Sequence, residues 1–359
     1  MIKIGITHGD INGISYEIIY KALSDARVLE LFTPVIYGSS KVAAYHRKMM
    51  DLPSVNLYTI ERAENAVSNR VNMINCINDD IKVDFGIITS ESGNSAFISL
   101  ERAVKDFREG TIDALLTTPA IFSEIQKNNL KFSDHTEFLE IQFEKKGQSL
   151  PILIKDHLRI ALATGNIPFT DVSSHLSSDL IYKKLISFQA SLIRDFAITT
   201  PRIAVLSLNP NSRSGAFGKE EKEIIIPAIE KAAKEKVYAF GPYASNDFFG
   251  LGNFTKFDGI LAMYYDQGII PFKTLSMEDG ICFTAGLPII RTTPNHGPSY
   301  EIAGQNTASE SAFLHAAYLA IDIYNNRKTD DEIKANPLRK QYFERGSDNE
   351  KLDLTSDGD

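Results

Sequence analysis

The chain alternates between two textures. Seven short runs are almost continuously apolar: "IKIGIT" (2–7), "TPVIYG" (33–38), "ALLTTP" (114–119), "LRIALATG" (158–165), "RIAVLSL" (202–208), "DGILAMYY" (258–265) and "PIIRTT" (288–293). A strand that is apolar on both faces belongs in a sheet covered on both sides, so each run predicts a buried strand. Between them, "SYEIIYKALSDA" (15–26), "SLERAVKDFREG" (99–110) and "EEKEIIIPAIEKAAKEK" (220–236) repeat apolar positions with helical spacing. Gly110 offers the second of these helices a left-handed stop. Strand–helix alternation of this kind predicts an α/β fold with mainly parallel sheets covered by helices. No internal repeat or low-complexity linker interrupts it, and the polar stretch "FERGSDNEKLDLTSDGD" (343–359) is expected to fray.

Open α/β sheets bind ligands at the carboxyl ends of their strands. Polar and glycine-bearing stretches collect there: "THGDINGIS" (7–15), "TGNIPF" (164–169), "NPNSRSGAFG" (209–218) and "DQG" (266–268). Any one of these alone is an ordinary turn; four after four strands point to a site. A length of 359 residues exceeds one small core and predicts two domains.

Composition changes this picture little: 43% hydrophobic and 23% charged residues describe an ordinary globular protein. Charge narrows the partners, since 38 basic against 46 acidic residues leave −8 and no basic block tracks phosphates. No nucleic-acid partner is therefore expected. Cys76 and Cys282 are too few for a disulfide framework or a zinc knuckle, which points to a reducing compartment. The start "MIKIGITHGD" has no signal-like apolar run, and no stretch approaches the ~20 apolar residues needed to span a bilayer. A cytoplasmic location and no membrane partner are expected.

Six blocks in order then carry a resemblance. "GDINGISYE" (9–17) is similar to GDPAGIGPE, "DHTEFL" (134–139) to GHTEFL, and "LNPNSRSGAFGKEE" (208–221) to LNPHAGEGGHxGxEE. "GPYASNDFF" (241–249) is similar to GPxPADTxF, "LAMYYDQG" (261–268) to LAMYHDQG, and "GLPIIRTTPNHGPSYEIAG" (286–304) to GLPxIRTSxDHGTAxDIAG. Over roughly residues 1–325 the chain thus resembles the 4-hydroxythreonine-4-phosphate dehydrogenases of pyridoxine biosynthesis. The resemblance implies an isocitrate/isopropylmalate-dehydrogenase-like fold with a cleft between two α/β domains. These would be 1–133 plus 283–325, and 134–282, followed by an extension at 326–359. It also implies a homodimer, and NAD (or NADP) as the cofactor that oxidises the 3-hydroxyl of 4-phosphohydroxy-L-threonine before decarboxylation. A divalent metal held by three histidines, shared across the dimer, assists in that family by stabilising the developing alkoxide.

Matched positions carry roles over residue by residue. His135, Thr136, Lys273 and Arg291 fall on substrate contacts, with Cys282 where the family has asparagine. A lysine point charge, a forked guanidinium and a hydroxyl suit a phosphate or carboxylate. Asp266 and Lys273 are the catalytic candidates, while Asp10 and Gly13 fall on the cofactor side of the cleft. Gln267, Asp247 and His296 also persist. The bland readings of these residues are a surface cation, an ion-pair partner, a capping hydroxyl and a turn.

The metal positions are where the chain departs. The three histidines fall on Asn166, Asn211 and Tyr265, so no metal ligand is assigned and a divalent ion is doubtful as a cofactor. Amide oxygens are weak ligands, and a phenol with pKa near ~10 is not ionised at neutral pH. His157 and His175, near the first position, read as surface or satisfied core histidines rather than replacements. Phe122 stands where a lysine is usual. The leading expectation is NAD-dependent oxidation of 4-phosphohydroxy-L-threonine. The alternatives are a dehydrogenase for another phosphorylated hydroxy acid and a catalytically silent paralogue that keeps an oxyanion pocket.

Overall fold

The computed structural model describes residues 1–121, 132, 134–210 and 218–335. Twelve strands form one sheet. They are β1 (Lys3–Thr7), β2 (Thr33–Gly38), β3 (Leu57–Thr59), β4 (Val71–Asn75), β5 (Ala114–Leu116) and β6 (Leu150–Lys155). Then follow β7 (Leu158–Leu162), β8 (Arg202–Leu206), β9 (Tyr238–Tyr243), β10 (Gly259–Ala262), β11 (Ile281–Ala285) and β12 (Arg291–Pro294). Their spatial order is β3-β4-β2-β1-β5-β12-β11-β6-β7-β10-β8-β9. Among the described residues eight of the eleven pairings are parallel. The predicted α/β fold with a mainly parallel sheet is the observed one.

The three antiparallel pairings sit together in the middle of the sheet, at β12–β11, β11–β6 and β6–β7. The last is a hairpin in which Lys155 pairs with Leu158 across a two-residue turn, with Asp156 at φ 51°. β11 and its parallel neighbours beyond β6 therefore run opposite to the strands on the β5 side. The sheet reverses sense at its centre.

Helices cover both faces: α1 (Ser15–Leu23), α2 (Ser40–Met50), α3 (Ser90–Arg108), α4 (His135–Gln142), α5 (Val172–His175), α6 (Ser178–Arg194), α7 (Ile226–Lys234), α8 (Ser245–Gly250), α9 (Tyr265–Ser276) and α10 (Ser311–Ala335). The double cover explains why β2 and β10 are buried at every position. The predicted helix at 220–236 begins as a π-helical turn, Glu221–Ile225, before α7.

α10 spans the centre of the sheet, packing on β5, β12 and β11 and against α1 and α6. Its Arg327 donates to the buried Asp195 carboxylate at 2.6 Å and to Pro288 O at 2.9 Å, tying α10 to the end of α6 and to the stretch before β12. α10 continues unbroken to Ala335, past residue 325, and β11 extends across residue 283. Among the described residues no helix is long and apolar enough to cross a membrane.

Candidate active site

The loop after β1 is buried from His8 to Ile14 and is held by side chains rather than by a ladder. Asp10 Oδ1 accepts from the Asn12 backbone N–H at 2.8 Å, while Oδ2 accepts from Ser92 Oγ at 3.1 Å and Tyr300 Oη at 2.7 Å. Burial pushes the Asp10 pKa up, and these donors pull it back. Asn12 straps the neighbouring segment: its Oδ1 accepts from Asp84 N–H at 2.8 Å, and its Nδ2 donates to Ile87 O at 2.9 Å. At Gly13 a Cβ would lie 2.6 Å from Pro298 O, so this glycine permits a close backbone approach. Asp10 and Gly13, predicted on the cofactor side, thus shape the wall at 298–300. Asp10 already accepts three hydrogen bonds from the protein, and the space over Gly13 is filled by Pro298.

A buried cation opens β12, beside β11. Arg291 is buried and is fixed by two hydroxyls: Nε donates to Thr117 Oγ1 at 2.9 Å and Nη1 to Thr284 Oγ1 at 3.2 Å. No described carboxylate approaches within 4.0 Å of its guanidinium. Burial lowers its pKa, offset by the influence of Cys282 and Asp134. His135, the first residue of α4, feels the same guanidinium. Burial first, and then the Arg291 charge, hold its imidazole well below the usual histidine range, so it is neutral at pH 7. Asp134 caps α4 by accepting from Glu137 N–H at 2.9 Å, and Thr136 is half-buried in the first turn. Cys282 is buried with its thiol pKa pushed up by desolvation. His135 and Cys282 therefore each feel the Arg291 charge.

α9 forms the next wall. The sequence reading placed "DQG" in a loop after a strand; instead Tyr265 is the first residue of this helix. Gln267 is buried and fixes the first turn from three sides. Its Oε1 accepts from Met263 N–H at 2.6 Å, and its Nε2 donates to Ser207 O at 2.6 Å and Ser245 Oγ at 2.7 Å. Asp266 is exposed on that turn. Lys273 lies two turns further on; it is exposed, donates to Asn295 O, and has its pKa lowered by partial desolvation of its amine. His296 is next in chain, and after its own burial the Lys273 charge helps lower its pKa. α9 thus reaches from the end of β10 to the stretch after β12.

Among the family's metal positions, Asn166 is an exposed amide in the turn after β7. Tyr265 is 37% exposed, and its phenol pKa is raised by burial, then by Asp266 and Cys282. It stays protonated at neutral pH. Asn211 and Phe122 lie outside the described residues. Among the described residues no group of three or more His, Cys, Asp or Glu side chains converges to hold a cation. The donors present do not fit a three-histidine site. His157 and His175 are both exposed, and His175 Nδ1 donates to Asp171 O at 2.8 Å.

Comparison with known proteins identifies the family. A family model described as "Pyridoxal phosphate biosynthetic protein PdxA" matches residues 30–320. The chain belongs to the PdxA family. It is 48% identical over 354 residues to a 4-hydroxythreonine-4-phosphate dehydrogenase from Bacteroides thetaiotaomicron, covering 98% of this chain and 97% of that protein. A relative from Oceanobacillus iheyensis, named provisionally as a D-threonate 4-phosphate dehydrogenase, is 32% identical over 325 residues, or 89% of this chain and 97% of that one. The crystal structure of a 4-hydroxythreonine-4-phosphate dehydrogenase from Klebsiella pneumoniae superposes with a TM-score of 0.78 at 27% identity, covering 90% of this chain and 98% of that chain. The resemblance read from the six sequence blocks is thus a family membership.

Sequence reasoning missed Thr117, Thr284, Tyr300 and Asn12. Thr117 lies 174 residues from the arginine it orients, and Tyr300 lies 290 from Asp10, so no local pattern announces them. Asn12 did leave a signal: it stands where the similar loop has alanine, an exchange that adds hydrogen-bonding capacity at a buried position.

Proposed function

We propose that this PdxA-family chain binds a small phosphorylated hydroxy acid, 4-phosphohydroxy-L-threonine in the first instance, and oxidises its secondary hydroxyl. The carrying observation is Arg291, a buried guanidinium oriented by two threonine hydroxyls with no described carboxylate within 4.0 Å. A buried cation of this kind is costly unless an anion joins it, and a phosphate or carboxylate oxygen is the complement its fork is shaped for. His135, Thr136 and Lys273 are the further residues assigned to the anion. The family implies NAD as hydride acceptor. Lys273, whose amine is made easier to deprotonate by partial desolvation, and Asp266 are the groups assigned to take the hydroxyl proton. The resulting 2-amino-3-oxo acid loses carbon dioxide as its carboxylate electrons move toward the new ketone.

A homodimer belongs to this reading. Along α9 and just beyond it Ile270, Leu275 and Met277 are 60%, 46% and 80% exposed, apolar surface that a second copy of the chain would cover. A second substrate reading, another phosphorylated hydroxy acid, is favoured by Cys282, which puts a soft, buried thiol beside the guanidinium.

The test is to supply the purified chain with 4-phosphohydroxy-L-threonine and NAD or NADP, and to follow reduced nucleotide. We expect turnover, and we expect Arg291→Ala to weaken substrate binding by about 1.5–3 kcal/mol in calorimetry. Tight binding of the phosphorylated compound with no reduction of either nucleotide would make the chain a silent oxyanion-binding paralogue. Unchanged affinity in the alanine variant would remove the anion pocket itself.

A further inference from the structure

The segments leaving β7 and β10 run side by side. Ala163 N–H donates to Ala262 O at 2.8 Å and Thr164 N–H to Met263 O at 3.2 Å, so the ladder continues beyond both strand ends. Phe169 then packs edge-on to Tyr264 with ring centroids 5.6 Å apart, closing the turn against the start of α9. Asn166 and Tyr265 each follow the Thr164–Met263 pair by two residues. The platform beneath Tyr265 is rigid, because Gln267 anchors that helical turn to the ends of β8 and β10 and to α8. Neither the Tyr265 hydroxyl nor the Asn166 side-chain amide hydrogen-bonds to any described residue, and both reach solvent. Cys282 bears electrostatically on Tyr265 and is itself influenced by Arg291.

We infer that Asn166 and Tyr265 form a neutral hydrogen-bonding clamp for the hydroxyl and carboxylate oxygens of the substrate, and that binding requires no divalent cation. The inference rests on the phosphorylated hydroxy-acid reading above. A phenol O–H and an amide N–H are fixed dipoles aimed at oxygen, and the amide oxygen can accept from a hydroxyl. Donors held on a rigid support need little reorganisation when an oxyanion arrives. The positive charge that the substrate's phosphate requires comes from Arg291.

The experiment is calorimetric titration of the full chain with 4-phosphohydroxy-L-threonine, once in excess chelator and once in millimolar magnesium or zinc. The same titrations are run on Tyr265→Phe, Asn166→Ala and Asn166→Asp, each checked for an unchanged thermal melt. We expect the wild-type Kd to agree within about twofold between the two conditions. Tyr265→Phe and Asn166→Ala should each weaken binding about five- to tenfold, the scale of one hydrogen bond. Asn166→Asp should bind poorly in chelator and recover with magnesium, a charge-dependent response that a merely structural residue would not give. Binding that appears only with a cation would overturn the clamp and leave the substrate reading standing. Equal binding by wild type and Tyr265→Phe would also remove it. No binding under either condition would bring down the substrate reading and the clamp together.

Discussion

At the scale of single residues, the resemblance puts the family's three metal histidines on Asn166, Asn211 and Tyr265, an exchange that would set this chain apart from that metal chemistry. An imidazole is a strong neutral nitrogen ligand, whereas Asn166 offers an amide oxygen and Tyr265 a protonated phenol. Zinc in protein sites takes nitrogen and sulfur ligands in a closed tetrahedral set. Asn166→His, Asn211→His and Tyr265→His together should therefore raise zinc affinity strongly, and each alone should do far less. Titration against a zinc-responsive dye reads this directly. If one single variant bound as tightly as the triple, some other side chain would already be supplying the missing ligands. Near-stoichiometric zinc in the unmodified protein would show the same.

At the scale of elements, α9 is the part that joins chemistry to fold. Its first turn carries Tyr265 and Asp266, its third carries Lys273, and Gln267 fastens its start to three other elements. Replacing Gln267 by leucine keeps the volume but strands the Met263 N–H and Ser207 O without partners. Buried backbone groups left unpaired cost about 1–3 kcal/mol each. Gln267→Leu should thus lower stability by at least about 1 kcal/mol in chemical denaturation, and should weaken substrate binding because Tyr265 loses its fixed platform. A variant as stable as the wild type would mean that water or a shifted hydroxyl replaces the glutamine.

At the scale of the whole molecule, two buried histidines make stability depend on acidity. His8 stacks on Tyr16, and His46 packs among Tyr16, Tyr45 and Phe85. Burial lowers the His8 pKa from 6.5 to about 4 and that of His46 from 6.5 to about 3. The unfolded chain therefore takes up these protons before the folded one does, so the folded state loses ground as pH falls below 6.5. Above that pH both histidines are neutral in either state and the contribution is fully present. Denaturation midpoints should fall from pH 6.5 toward 4, and His46→Phe should flatten the slope; an unchanged slope would take His46 out of the account. Assembly is decided at the same scale. The exposed apolar residues of α9 predict a homodimer, and stable homodimers commonly bury more than ~2,000 Å². Light scattering should report twice the 39.9 kDa chain, in chelator as well as in buffer. A monomer at micromolar concentration would exclude the dimer.

The sequence by itself determined what depends on neighbours in the chain. Continuous apolar runs gave β2, β8 and β10, because a strand covered on both faces needs no polar alternation. Ordered motif blocks gave the family, and the identity of three residues removed the histidine ligands. The edge strand β9, half-exposed and interrupted by Gly241 and Pro242, left no such run, and "DQG" read as a loop although it opens a helix. Tertiary structure alone decided the rest: the reversal at the centre of the sheet, the threonines that aim Arg291, and the use of Asp10 and Gln267 as fasteners. The reason is distance along the chain. Arg291 and Thr117 are 174 residues apart, and Gln267 and Ser207 are 60. Such contacts exist only once the sheet has closed, and no local propensity encodes them.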